Sequence, residues 1–120
     1  MATAHLKSYN QTPRKVRLVT DLVKGKKVGA ALEALEFLPR RAAEPIAKLI
    51  KSAVAHAKEK GEDVEALKVQ SIIVESAGMN KRFMPRAFGR ASAIRHRKSR
   101  IIVNLEDSRK HEAPSTKSEK

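Results

Sequence analysis

The stretch Lys81-Arg82-Phe83-Met84-Pro85-Arg86-Ala87-Phe88-Gly89-Arg90-Ala91-Ser92-Ala93-Ile94-Arg95-His96-Arg97-Lys98-Ser99-Arg100 decides how this chain is read. Eight of its side chains are cationic, namely Lys81, Arg82, Arg86, Arg90, Arg95, Arg97, Lys98 and Arg100. The thirty residues from Ser76 to Leu105 contain no carboxylate at all. Leucine and valine, the usual core-builders, are absent between Lys81 and Arg100, where Pro85, Gly89 and several alanines and serines stand between the charges. A segment of this kind repels itself and has too little apolar surface to fold alone. It makes physical sense beside a polyanion that supplies countercharge. Six of the eight cations are arginines, whose flat guanidinium forks grip phosphate bidentately and stack on bases. Nucleic acid is the partner these residues point to.

On either side the pattern becomes that of strands. Leu67–Val74 is apolar and β-branched, and Ile101-Ile102-Val103-Asn104-Leu105 sets Ile101, Val103 and Leu105 on one face. Two strands around a basic stretch predict a long β-hairpin over about 76–102, its base in the core and its arm unsupported, reaching roughly 30 Å outward for arms of about ten residues. Residues 4–9 alternate weakly and predict a short edge strand. Thr12-Pro13 reads as an N-cap followed by proline at the first helical position, and Val16, Val19, Leu22 and Val23 give a helix that Gly25 closes. A second helix over about Val28–Leu38 carries Ala31, Leu32, Leu35 and Leu38 before Pro39. The third is the clearest, with Ile46, Leu49, Ile50, Ala53, Val54 and Ala57 forming one apolar stripe that stops at Gly61. Residues 1–107 are read as one domain and 108–120, polar and of mixed charge, as a disordered tail.

The formal charge of the 120-residue chain is +13, so without the eight cations of the basic stretch only +5 would remain. Further cations lie where helix physics disfavours them. A helix N-terminus carries partial positive charge, yet the first helix opens with Arg14, Lys15 and Arg17, and the third is entered through Arg40 and Arg41. Phosphate against these starts would reverse the sign, with backbone N–H groups and cations acting together. Lys24, Lys26 and Lys27 extend the first cluster.

Other chemistry is excluded more than it is indicated. Without cysteine there is neither a disulfide framework nor a thiolate metal site, and the histidines at 5, 56, 96 and 111 share no ligand spacing. No nucleophile–base arrangement stands out, and Gly25-Lys26-Lys27 lacks the spaced glycine of a phosphate loop. No cofactor, metal or catalysis is expected. Met1–Leu6 has no apolar signal core and no run approaches a membrane span, so a soluble intracellular protein is the expectation. Phe83 and Phe88 suit either stacking on bases or packing within the arm. A DNA-binding variant of the helix-turn-helix is the rival reading, though the third helix offers only Lys48, Lys51, Ser52 and Lys58 where base-reading asparagine or glutamine would be wanted.

The run Lys81–Arg100 resembles the signature of the bacterial-type large-subunit ribosomal protein twenty-two family, matching its K-R-x-x-P-R-A-x-G-R-A-x-x-I pattern at every fixed position. Thr12-Pro13-Arg14-Lys15-Val16-Arg17 is similar to the family's S/T-P-R-K-V-R helix start, and Lys51-Ser52-Ala53 to its K-S-A segment. Met84 and Phe88 fill variable slots, and Arg100 stands where histidine is common. The resemblance covers about residues 4–107. It implies an α+β fold of three helices on a three-stranded antiparallel sheet, with a hairpin extended into large-subunit ribosomal RNA in the cytoplasmic ribosome. It further implies neighbouring large-subunit proteins as partners, and a hairpin tip at Gly89, Arg90 and Ala91 that lines the exit tunnel, meets the nascent polypeptide and bears on macrolide response.

Overall fold

The structure, a computed structural model, describes residues 2–109. The elements run β1 (Ala2–Tyr9), α1 (Pro13–Val23), α2 (Val28–Glu36), α3 (Ala43–Glu59), β2 (Leu67–Pro85) and β3 (Ala91–Asp107). The three strands form one antiparallel sheet in the order β1-β3-β2. This is the α+β fold of three helices on a three-stranded sheet, and its long hairpin is β2 joined to β3.

The core lies between the helices and one face of the sheet. Ala2 and Ala4 of β1, Leu67, Val69, Ile72 and Val74 of β2, and Ile101, Val103 and Leu105 of β3 are all buried. They meet Val16, Val19 and Val23 of α1, Ala31 and Leu35 of α2, and Ile46, Leu49, Ile50, Ala53 and Ala57 of α3. Each large aliphatic side chain so buried contributes about 1.5–3 kcal/mol of transfer free energy. The small residues Ala53 and Ala57 let α3 lie close across β1 and β3. The opposite face of the sheet is more open, and there Asn104 Nδ2 donates to Ser71 Oγ at 2.9 Å.

Local details depart from the sequence pattern for identifiable reasons. In α1 the fourth buried position is Thr20, not Leu22, which is 50% exposed. Thr20 tolerates burial because its hydroxyl donates to the Arg17 carbonyl within the helix. Thr12 does occupy the N-cap of α1 and Pro13 the first turn, but the Thr12 side chain caps nothing; only its carbonyl accepts, from Val16 N–H at 3.2 Å. α2 stops at Glu36, two residues before Leu38, as Phe37 caps it and Pro39 follows. Gly25 adopts φ +82° after α1 and its N–H donates to Val69 O at 2.9 Å, while Val69 N–H donates to Lys26 O at 2.8 Å. The loop after α1 is thereby stitched to the outer edge of β2.

β2 holds one more residue than β3 at two places. Between Val69 and Ser71 the slip lets Val69 and Ile72, three apart in sequence, both face the core. Between Ser76 and Met79 a second slip falls at Gly78, which takes φ +92°. Beyond it the two strands stay paired from Met79↔Arg97 to Pro85↔Ala91, although residues 78–91 are all exposed. The arm is therefore a continuation of the sheet as a two-stranded ribbon, and the molecule is 71 Å long against 31 and 24 Å in its other dimensions. Of the segment read as a tail, residues 110–120 lie outside the described residues. Arg109 is held at the globule by Asp63 at 3.1 Å.

Candidate nucleic-acid interface

Where the arm leaves the globule, the residues before α1 fold against it. Ser99, fully buried on β3, donates its hydroxyl to the Gln11 carbonyl at 2.6 Å. That bond ties the entry of α1 to the root of the arm. It also shapes a cleft of about 540 Å³, walled by Asn10–Thr12 and Lys15 on one side and by Arg82, Arg95, Arg97 and Lys98 on the other, with Arg41 closing it. Cations from three distant parts of the chain converge there. Among the described residues no carboxylate forms an ion pair with Lys81, Arg82, Arg86, Arg90, Arg95, Arg97 or Lys98. The start of α1 opens on the same cleft with no acidic residue in its first turn and no side-chain cap, an arrangement that favours an anion. Gln11 Oε1 is buried beside the cleft without a hydrogen-bond partner among the described residues.

The other sequence-flagged cations fall into different places. Arg17, though exposed, reaches across to the sheet: its Nη2 donates to the Val74 carbonyl at 2.8 Å, clamping α1 to β2. Arg100 sits beside Glu75, 3.8 Å away at the foot of the arm. Lys24, Lys26 and Lys27 surround the loop stitched to Val69, at the far end of α1 from the cleft, so they do not join the Arg14–Lys15 cluster. Arg14 is exposed on the first turn of α1. Lys81 lies on the arm directly opposite Arg95, a like-charge pair that disfavours the ribbon by itself.

At the apex, Arg86 N–H donates to the Arg90 carbonyl at 2.6 Å, closing a tight turn over Ala87–Gly89. Gly89 and Arg90 belong to this turn, whereas Ala91 is already the first residue of β3. Phe88 holds φ +61° and is fully exposed. A left-handed backbone at a bulky residue is uncommon.

Asn10, Gln11, Asn80 and His96 line the cleft without a sequence signal that marks them for binding, whereas Arg41 joins it as one of the two cations noted at the entry to α3. Among the described residues no three or more His, Asp or Glu side chains gather as a metal site would require, and no helix is long and apolar enough to cross a membrane. α3 lies across β1 and β3 with its apolar stripe buried, and nothing in the structure favours a helix-turn-helix reading.

A basic cleft continued by an unneutralised ribbon defines a nucleic-acid-binding protein that works by positioning charge rather than by catalysis. The profile described as Ribosomal protein L22p/L17e matches residues 4–106, and the chain belongs to that family. It is 50% identical over 109 residues to the "Large ribosomal subunit protein uL22" of Pelobacter propionicus, covering 90% of this chain and 98% of that one. The proteins of the same description from Myxococcus xanthus (46% over 112 residues, 91% and 98% covered) and Geobacter sulfurreducens (49% over 107 residues, 88% and 96% covered) are similarly close. The family is structural, and the chain is not an enzyme.

Proposed function

We propose that this chain is a structural constituent of the large ribosomal subunit in the cytoplasm, binding ribosomal RNA through the cleft and along the arm. The observation that carries this reading is the convergence of Lys15, Arg41, Arg82, Arg95, Arg97 and Lys98 on one cleft, with no carboxylate paired to them among the described residues. RNA phosphates entering it would complete the charge, meet the open N-terminus of α1, and relieve the repulsion between Lys81 and Arg95 along the ribbon. Arg14 would extend the cleft contact at the start of α1, Lys24, Lys26 and Lys27 would form a second, peripheral contact at its other end, and Arg86, Arg90 and Arg100 would engage RNA further along the arm. Arg17 contributes by holding α1 in place. Recognition of this kind goes by shape and backbone, not by base sequence.

The apex, with Gly89, Arg90 and neighbouring Ala91, is the part we assign to the wall of the polypeptide exit tunnel, where it would meet the nascent chain. The tight Arg86–Arg90 turn is narrow enough for such a place, and the globule would face neighbouring large-subunit proteins. Binding to large-subunit ribosomal RNA should exceed that to random duplex DNA at moderate salt, with a log–log salt slope of about −4 to −5 if six phosphates are neutralised. Equal affinity for both would defeat the ribosomal reading. For the apex, large subunits purified from cells carrying only a form lacking Met84–Arg95 should retain the protein but respond differently to macrolides. Loss of the protein from those subunits would instead make the arm an assembly anchor.

A further inference from the structure

Directly paired residues of an antiparallel ribbon share a face. On one face of the arm the rungs are therefore Met79–Arg97, Lys81–Arg95, Phe83–Ala93 and Pro85–Ala91. By strand alternation in β3 this face continues the one that carries Ser99, Ile101 and Val103 in the globule, so it is the side on which the helices and the cleft lie. Arg95 and Arg97 of this face line the cleft, together with Asn80, Arg82, His96 and Lys98 from the alternate positions of the ribbon. Phe83 is the next rung outward from Lys81–Arg95. It is 74% exposed and stands opposite Ala93, with Ala91 on one diagonal and Arg95 on the other, so the ring is left largely uncovered.

Resting on the RNA-binding reading above, we propose that Phe83 is a stacking platform for an unpaired nucleobase of the bound RNA, with Lys81 and Arg95 holding the phosphates beside it. An aromatic ring left in water next to two unneutralised cations fits this ligand chemically. The cations take the backbone, the ring takes the flat face of any base, and the small Ala93 and Ala91 leave room for it. Packing within the arm, the other use of such a ring, is not what the structure shows, since the ring remains largely uncovered. Phe88 does not share these surroundings: it stands at the apex, outside the paired rungs.

The chain contains no tryptophan, so Phe83→Trp creates a single indole reporter. The full chain carrying it is titrated with single-stranded oligo(A), with an RNA duplex of equal length, and with heparin, a polyanion without bases. Labelled-RNA anisotropy follows binding independently. Stacking requires that oligo(A) quench the indole strongly, the duplex less, and heparin hardly at all while still competing for the protein. In the native background Phe83→Leu should weaken oligo(A) binding roughly five- to 150-fold, leave heparin affinity unchanged, and be rescued by Phe83→Tyr. Binding of oligo(A) without quenching, or equal loss of oligo(A) and heparin affinity in Phe83→Leu, overturns the stacking role while leaving the RNA-binding reading intact. Absence of salt-dependent oligo(A) binding by the native chain overturns both.

Discussion

The same two strands live two different lives. Between Leu67 and Val74, and between Ile101 and Leu105, β2 and β3 set buried residues between half-buried or exposed ones against a layer of helices. Past Gly78 they remain hydrogen-bonded partners, yet no residue from 78 to 91 is buried. The contrast separates what pairing does from what burial does. Backbone pairing gives the arm its shape, but a two-stranded ribbon without a core is marginal in water. The globule has its apolar layer to stabilise it, and the arm waits for its ligand.

The largest test of this contrast is amide exchange in the free protein. Amides of α3 and of Ile101–Leu105 should exchange near the limit set by global unfolding, and those of about Lys81–Lys98 at least about a thousandfold faster. Bound ribosomal RNA should slow the arm. Protection of the arm equal to that of α3 in the free protein would erase the distinction.

Substitution should divide the molecule in the same way. Ile50→Ala, at a fully buried side chain, should cost about 2–5 kcal/mol in urea unfolding. Arg95→Ala should change stability by less than about 0.5 kcal/mol, tending to stabilise because Lys81 loses its like-charged partner. A cost for Arg95→Ala comparable to that of Ile50→Ala would mean that the arm is part of the cooperative core.

The smallest effects lie at the boundary, where two neighbouring cations of α1 should behave oppositely. Arg17→Ala, losing the bond to the Val74 carbonyl, should cost about 1–2 kcal/mol and leave the salt slope of RNA binding unchanged. Lys15→Ala should flatten that slope by about 0.7–0.9, one contact's worth, with stability within about 0.5 kcal/mol of the parent. If Arg17→Ala also flattens the slope, its guanidinium reaches phosphate as well as Val74.

Much of this was legible from the chain. The stripe of α3 and the alternation of Ile101, Val103 and Leu105 are strong because burial imposes a period. The basic run is legible because charge of one sign has no internal use. What escaped detection follows from the same physics. The hairpin itself is expected from its flanking strands, but the one-residue slip at Gly78 leaves no mark in the apolar pattern, since neither face of the ribbon beyond it is covered. The bond from Arg17 depends on the Val74 carbonyl, fifty-seven residues away. The joining of Lys15 with Arg97, and the separation of Lys24, Lys26 and Lys27 from them, exist only once α1 is laid along the sheet. The family resemblance implied one three-stranded antiparallel sheet, and the structure gives its order, β1-β3-β2.

Gly78 gives the arm a steering joint. The extra residue there bends and twists β2 at the one rung where the ribbon leaves its support. From Met79 to Pro85 the arm projects about 23 Å, at about 3.3 Å per residue. Geometry makes that a lever: a change of ten degrees in backbone direction at Gly78 would displace the apex by about 4 Å, as much as the gap between adjacent strands. A side chain at this position has open space around it, so what it would disturb is the positive φ, and through it the heading of the whole arm. The aim of a structure more than twenty ångströms long thus turns on the torsion of one residue at which a side chain would meet only open space.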